Sequence, residues 1–192
     1  MTIIVPFRDR ESHLKAFIPV LKKYIDADIV VVEQAPGKPF NRGKLLNVGV
    51  LECPDTHYVF HDVDMLPVNV DYTPTYGVTQ LASSEIQKAG YLGGVTMFDS
   101  ETFLSVNGYN NNFFSRAEDN EMMFQLLKHG IEWGSRIGEF TMLDHTRTGP
   151  EFIPWLWQKA QQPRKPTDGL SGCHYKVISR SVNEYTHVIV YL

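Results

Sequence analysis

The first half of the chain alternates short apolar runs with amphipathic stretches. The apolar runs predict three buried β-strands: TIIVPF (2–7), DIVVVEQ (28–34) and YVFHDVDML (58–66). The stretches between them have helical spacing and predict two helices: HLKAFIPVLKKYI (13–25), with Ser12 as N-cap, and NRGKLLNVGVLEC (41–53). This order predicts an α/β fold with a mostly parallel central sheet flanked by helices, in which ligands bind at the carboxyl ends of the strands.

The second half of the chain predicts further strands and helices of the same domain. GYLGGVTMFD (90–99) has the pattern of a strand, and the short helix after it, over 100–109, has Ser100 available as its cap. A helix with an acidic start is predicted over 118–130, ending at Gly130. The remaining predictions are two strands, CHYKVISR (173–180) and YTHVIVYL (185–192), and a mobile flap rich in Pro and Trp over 146–167.

Composition narrows the class of protein. The 192 residues are 43% apolar and 21% charged, as in an ordinary globular domain, and the net charge of −4 gives no general surface for nucleic acid or anionic membrane. Cys53 and Cys173 lie far apart without metal-binding spacing, so neither a disulfide framework nor a zinc site is predicted, and a reducing compartment is mildly favoured. No apolar run approaches the roughly 18 residues of a membrane span, and no signal-peptide pattern is present.

The third predicted strand carries two carboxylates, Asp62 and Asp64, near its end. Burying unpaired charges is costly, so these residues need a partner. At positions i and i+2 of an extended chain they point the same way and can reach one hard cation, which could hold a diphosphate. Alternatively, one caps a turn and the other pairs with an arginine. His61, directly before them, could support the pair from behind.

Two further motifs could complete such a site. MLDH places Met142 and His145 three residues apart; imidazole is a common metal ligand but a thioether is an unusual one, so a core methionine and an incidental histidine are the alternative. AEDNE places three carboxylates at a helix start, where they can complement the helix dipole or supply a general base. For a base, Glu118 and Asp119 are better placed than Glu121, which should lie inside the helix.

Cationic and aromatic side chains follow the predicted strand ends. They are Arg8, Arg10, Arg42 and Lys44, with Phe7 and Phe40 between them. Arginine can grip phosphate oxygens and an aromatic ring can stack on a base, although solvated loop charges are the alternative. Their position beside the two aspartates favours a nucleotide diphosphate as the ligand.

Taken in order, these stretches resemble the β-1,4-galactosyltransferases, glycosyltransferase family 7, whose fold is the metal-dependent GT-A type. The resemblance covers nearly the whole chain, in the motifs VPFRDR followed by HL, FNRGKLLNVG, HDVDMLP, YLGGV, NGYNNNFF, EDNE, MLDH and DGL. HDVD followed by LP is closest to members that galactosylate xylose in proteoglycan linkers. MLDH, in contrast, is similar to the Met-x-x-His of members acting on N-acetylglucosamine.

The resemblance implies a single domain with a nucleotide-binding half (1–67) and an acceptor and metal half (90–192). It implies Mn²⁺ bound by Asp64, Met142 and His145, and an acid pair, Glu118 and Asp119, with Asp119 as the base. The implied donor-binding positions are Pro6, Phe7, Arg8, Arg10, Phe40, Arg42, Asp62, Val63, Asp64, Tyr91, Gly93 and Gly94. The implied reaction is inverting transfer of galactose from UDP-galactose to a sugar hydroxyl, with xylose, glucose or N-acetylglucosamine as acceptor.

The chain departs from the family just before the acid pair. FFSRA (113–117) replaces a run rich in Trp and Gly, so Arg116 stands where an apolar wall touches the acceptor. Trp155 and Trp157 could substitute as a sugar-stacking surface or could be core residues. The alternatives are a UDP-GalNAc or UDP-GlcA transferase of the chondroitin-polymerase type, a catalytically silent glycan or nucleotide-sugar binder, and, more remotely, a metal-dependent phosphohydrolase.

The same resemblance implies which partners and which cellular location to expect. A UDP-sugar and a carbohydrate acceptor are the expected partners; no nucleic acid, membrane segment or protein partner is expected. The family's usual membrane anchor is not found in this chain. We therefore expect a cytoplasmic bacterial or viral enzyme if the chain is complete, and the Golgi lumen if it is a catalytic domain separated from its anchor.

Overall fold

A computed structural model of the chain describes residues 1–82, 92–114, 116–144 and 154–192. The strands are β1 (Thr2–Phe7), β2 (Asp28–Gln34), β3 (His57–His61), β4 (Met65–Asn69), β5 (Val78–Gln80), β6 (Val95–Asp99), β7 (Trp133–Ser135), β8 (Glu139–Met142), β9 (Lys176–Val182) and β10 (Thr186–Tyr191). The α-helices are α1 (Glu11–Tyr24), α2 (Arg42–Glu52), α3 (Ser100–Ser105), α4 (Glu118–Lys128) and α5 (Pro154–Ala160).

Eight strands form one mixed sheet in the order β7-β5-β6-β3-β1-β2-β10-β9. Its centre is parallel: β1 pairs with β2 and β3, and β10 pairs with β2. Antiparallel pairs connect β6 to β3 and β5, and β9 to β10. The prediction of a mostly parallel sheet flanked by helices is confirmed. A separate two-stranded sheet joins β4 to β8.

Helices cover both faces of the parallel strands because the apolar residues of β1 alternate between two cores. Ile3 and Val5 pack in the core that includes α1, whereas Ile4 packs with α2. Gly49 allows the close approach of α2, since a Cβ added there would collide with the Ile4 side chain. α2 therefore lies tight against β1, with its N-terminus at the carboxyl end of the sheet.

The first two predicted strands are confirmed with the predicted bounds, whereas the third is confirmed only in its first part and ends earlier than predicted. β3 ends at His61, the chain turns at Asp62–Asp64 with the Met65 amide donating to the Asp62 carbonyl, and β4 begins in the second sheet. A continued strand would carry two carboxylates into the sheet, whereas the turn leaves them at its edge. The residues between β3 and β4 are therefore placed for a ligand.

Two predicted helix caps are wrong. α1 begins at Glu11, so Ser12 lies inside the helix, and the N-cap is Arg10, which makes no capping hydrogen bond through its side chain. For α3 the cap is Asp99, one residue before Ser100, because its carboxylate accepts a hydrogen bond from the Thr102 amide. Among the described residues, no helix has both the length and the apolar character needed to cross a bilayer.

Candidate functional site

Arg42 lies at the centre of the candidate site. It is the first residue of α2, which Asn41 caps by accepting a hydrogen bond from the Lys44 amide. The Arg42 Nε lies 2.7 Å from Asp62 Oδ1, and its Nη1 lies 2.8 Å from Asp119 Oδ1. Burial opposes the charge of the guanidinium, but Asp119 and Asp62 raise its pKa well above the usual value. Arg42 therefore stays cationic, and its two ion pairs connect the turn after β3 with the first turn of α4.

Glu118 and Asp119 are both buried in the first turn of α4, as the AEDNE motif predicts. Glu118 Oε1 is 3.7 Å from Arg42 Nη1, and no hydrogen-bond partner for Oε2 is found within the described ranges. Burial raises the pKa of Glu118 to about 7, with Asp119 adding to the rise and Arg42 opposing it. Glu118 and Asp119 thus lie next to the guanidinium of Arg42, and Glu118 Oε2 can bind a hydroxyl group.

The structure places the main-chain segments that carry two of the three predicted metal ligands, Asp64 and Met142, side by side. Met65 pairs with Met142 across the second sheet, and the Leu143 amide donates to the Asp64 carbonyl at 2.8 Å. Met142 is 43% exposed, which leaves its thioether accessible. His145 lies outside the described residues. In the ranges described, no three His, Cys, Asp or Glu side chains gather as a metal site, so an ion here would need the Met142 or His145 donors as well as Asp64.

His61 supports the aspartate turn from behind. One ring nitrogen lies 3.0 Å from the Asp62 carbonyl oxygen and the other 3.0 Å from the Tyr72 hydroxyl. Burial lowers the pKa of His61 to about 4, so the imidazole is neutral. The Phe17 and Phe140 rings pack around it. This position agrees with the supporting role that the sequence predicts.

The predicted donor-binding residues divide into a surface group and a buried group. Arg8 donates to the Lys38 carbonyl at 2.8 Å, and its guanidinium lies 5.2 Å from the centre of the Phe40 ring. Phe7 is only 2% exposed and packs in the α1 core, so Phe40 is the ring that a base could reach. Val63 is buried and the Gly94 carbonyl accepts from the Asp62 amide, while Tyr91 lies outside the described residues.

The remaining donor-binding residues shape the edge of the sheet. Pro6 pairs with Val32 within the ladder of β1 and β2, and Arg10 is the N-cap residue of α1. Gly93 is buried next to β6. The MLDH segment also touches α1, since His13 lies 3.3 Å from the Asp144 carbonyl oxygen.

A network of buried amides, not predicted from the sequence, holds these parts in place. Gln34 accepts from the Asn41 amide at 2.8 Å and donates to the Pro39 carbonyl at 2.9 Å, which fixes the loop before Arg42. Asn41 in turn donates to the Asn111 carbonyl, and Asn47 binds both main-chain groups of Tyr109. The asparagine-rich motif NGYNNN is the signal that could have indicated this network.

Known proteins with the same fold identify the class. A Drosophila β-1,4-galactosyltransferase 7 catalytic domain in complex with xylobiose superposes with a TM-score of 0.85 at 23% identity, covering 100% of this chain and 93% of that one. A mutant of the same protein, in complex with manganese, UDP-Gal and xylobiose, gives a TM-score of 0.84. The fold is therefore the GT-A fold of nucleotide-diphospho-sugar transferases.

Sequence comparison identifies the family within that class. A model described as the N-terminal region of glycosyl transferase group 7 matches residues 1–76, and one described as the N-terminal domain of galactosyltransferase matches residues 78–146. Human β-1,4-galactosyltransferase 4 is 35% identical over 205 residues, covering 93% of this chain. The chain belongs to glycosyltransferase family 7, as its motifs predict. It spans 59% of the length of the human relative and 62% of that of its mouse counterpart.

Proposed function

We propose that the chain is an inverting, metal-dependent glycosyltransferase that moves galactose from UDP-galactose to a hydroxyl group of a sugar acceptor. The observation that carries this proposal is the position of Arg42, which binds Asp62 in the turn after β3 and Asp119 of the acid pair in one buried cluster. A donor phosphate and an acceptor hydroxyl would meet across this cluster. Membership of family 7 and the manganese and UDP-Gal complex of the Drosophila mutant support the same reaction.

In this proposal Asp119 is the general base. Its carboxylate would take the proton from the acceptor hydroxyl as that oxygen attacks the anomeric carbon and the bond to the UDP oxygen breaks, which inverts the configuration. Arg42 orients Asp119, and Arg8 and Arg42 would oppose charge that develops on the departing diphosphate. Glu118, with its free oxygen, would bind a sugar hydroxyl. Asp64, Met142 and His145 would hold Mn²⁺, which when bound neutralises part of the diphosphate charge.

Xylose, glucose and N-acetylglucosamine are the acceptors we propose. HDVD followed by LP is similar to members that act on xylose, whereas MLDH is similar to members that act on N-acetylglucosamine. The FFSRA run also changes the wall next to the acid pair. Phe114 in this run is 48% exposed and offers a ring to a sugar in place of the missing tryptophans. The xylobiose bound by the Drosophila relative supports a pentose among the candidates.

A panel of UDP-sugars with these three acceptors, with and without Mn²⁺, tests the proposal. We expect disaccharide formation from UDP-galactose only with the metal, and loss of at least a hundredfold in kcat for Asp119→Asn with UDP binding unchanged. Transfer from UDP-GalNAc or UDP-GlcA alone would instead identify the chondroitin-polymerase type. Binding of UDP-sugars without turnover would indicate a silent binder, and an active Asp119→Asn variant would refute the base.

A further inference from the structure

A second arginine pairs with the third carboxylate of the AEDNE motif. Glu121, in the first turn of α4, is 1% exposed, and the Arg164 side chain, which follows α5, is 5% exposed. The Arg164 Nε donates to Glu121 Oε1 at 2.9 Å and its Nη2 donates to Oε2. This is a two-point interaction in which the planar guanidinium fixes the carboxylate in orientation as well as in distance.

Arg164 also binds the main chain that leads from α3. Its Nη1 donates to the Val106 carbonyl at 2.8 Å and to the Gly108 carbonyl at 2.6 Å. Glu121 receives further support from the Gln125 amide at 3.1 Å. One guanidinium therefore joins three pieces of chain: the end of α3, the first turn of α4 and the segment after α5.

The start of α4 needs such support. Its N-cap is Ala117, which has a left-handed backbone (φ 70°) and makes no capping hydrogen bond through its side chain. Three buried carboxyl groups follow within four residues, and the charge of Asp119 opposes a charge on Glu118. Arg42 offsets the charges of Glu118 and Asp119 from the side of α2, while Arg164 offsets the charge of Glu121 from the side of α5.

We propose that Arg164 and Glu121 form a buried clamp that fixes the first turn of α4, so that Glu118 and Asp119 meet Arg42 in the productive arrangement. Arg164 is a positioning residue and acts through Glu121. Its effect on turnover rests on the proposed function, whereas its effect on the helix does not. Loss of the clamp would let the first turn shift, which displaces the base from the acceptor hydroxyl without altering the groups that bind UDP.

The experiment must separate positioning from simple stability. Arg164→Met leaves the Glu121 charge buried and unpaired and is expected to lower the melting temperature strongly. The double variant Arg164→Met with Glu121→Gln removes both charges and is expected to fold. Arg164→Lys keeps the positive charge but lacks the planar guanidinium, so it should retain only part of the wild-type protection from exchange and of the wild-type kcat. Arg180→Met is the matched control. Arg180 is an exposed residue of the edge strand β9, and its guanidinium pairs with Glu52.

Hydrogen exchange and kinetics are then measured on the folded variants. In the double variant we expect amides of residues 121–124 to exchange at least tenfold faster, with those of α2 unchanged, and kcat to fall at least tenfold with the KM for the UDP-sugar within twofold. Wild-type exchange at residues 121–124 overturns the clamp, and faster exchange with wild-type kcat overturns the positioning role. If the wild-type protein transfers no sugar, the proposed function fails, and the exchange measurement alone decides the clamp.

Discussion

Single residues of the site owe their properties to burial. Glu118 is an ordinary carboxylic acid in sequence, and the structure turns it into a group that holds a proton near neutrality, because burial and Asp119 raise its pKa to about 7. His61 is shifted in the opposite direction for the same reason, since burial disfavours the charged imidazole. Sequence patterns predict which residues gather at the site, but these shifts depend on the packing around each group.

The Glu118 shift predicts a pH dependence of stability. Between the ordinary carboxyl pKa and about 7, the folded protein holds this proton more tightly than the unfolded chain does. Raising the pH through this window therefore lowers the free energy of unfolding, by about 3 kcal/mol for this residue. Denaturant unfolding of the metal-free protein from pH 4.5 to 8 should show the decline, and Glu118→Gln should reduce it and be more stable than wild type at pH 8.

Glu101→Gln is the control for this measurement, because Glu101 is an exposed acid in the first turn of α3. It should leave the decline unchanged. An equally steep decline in the Glu118→Gln variant would contradict the burial of a neutral Glu118.

The residues of the site differ in how well the sequence predicts them. Motifs predict that Arg42, Asp62 and Asp119 serve one site, and the structure brings these three together. Arg164 was not predicted, because it lies in QQPRKP without periodicity and its partner Glu121 is far away in the chain. Long-range ion pairs of this kind leave no local signal. The roles of Tyr91 and His145 stay predictions.

At the level of elements, apolar runs predicted long buried strands well and short ones poorly. β1 and β2 are buried along nearly their whole length, so hydrophobicity alone defines their bounds. β7 and β8 have three and four residues, mostly exposed, and lack the alternation that marks a strand. They form because neighbouring chain segments offer unpaired backbone groups, which a one-dimensional pattern does not show.

The short helix α5 places its two tryptophans in different environments. Trp157 lies against Phe124 of α4, with the ring centres 5.2 Å apart in an edge-to-face arrangement. Trp155 is 60% exposed. Leu156 and Ala160 of the same helix are buried against Phe113. The sequence left both roles open for each tryptophan, and the structure favours a packing role for Trp157 and a surface role for Trp155.

These environments predict opposite phenotypes for two alanine variants. Trp157→Ala should lower the free energy of unfolding by about 2 kcal/mol, because an aromatic contact with α4 is lost. Trp155→Ala should change stability by less than about 0.5 kcal/mol but raise the acceptor KM about tenfold if its ring stacks on the sugar. Thermal unfolding and initial rates over a range of acceptor concentrations measure both effects. An unchanged acceptor KM in Trp155→Ala would assign acceptor stacking elsewhere, with Phe114 as the next candidate.

At the scale of the whole molecule, polar contacts tie the two halves of the chain together at the site. α2 from the first half contacts the NGYNNN segment of the second through Asn41 and Asn47. Asn111 continues the network to the Gly169 carbonyl of the DGL motif. Several motifs of the family therefore meet in one network, although they are spread over more than a hundred residues. Their order in the sequence predicts the family, whereas only the fold explains why they occur together.

A divalent ion would add another connection between the halves. Asp64 follows β3 in the first half, and Met142 ends β8 in the second. The hydrogen bond from the Leu143 amide to the Asp64 carbonyl already places the two segments side by side. An ion that binds the folded protein and not the unfolded chain stabilises it by mass action, about 2.7 kcal/mol at a hundred times its Kd. For a domain of this size the melting temperature should rise by roughly 5–11 °C with Mn²⁺.

Asp64→Ala should abolish this rise, because the ion loses its carboxylate ligand. Asp71→Ala is the matched control, since Asp71 is an exposed carboxylate that binds Arg136 and is not among the predicted metal ligands. The melting temperatures of the three proteins are compared with and without Mn²⁺ before any substrate is added, so the result does not depend on turnover. An equal rise in wild type and Asp64→Ala would place the ion elsewhere. A rise confined to proteins that retain Asp64 would mean that the metal binds at the aspartate turn before the donor arrives.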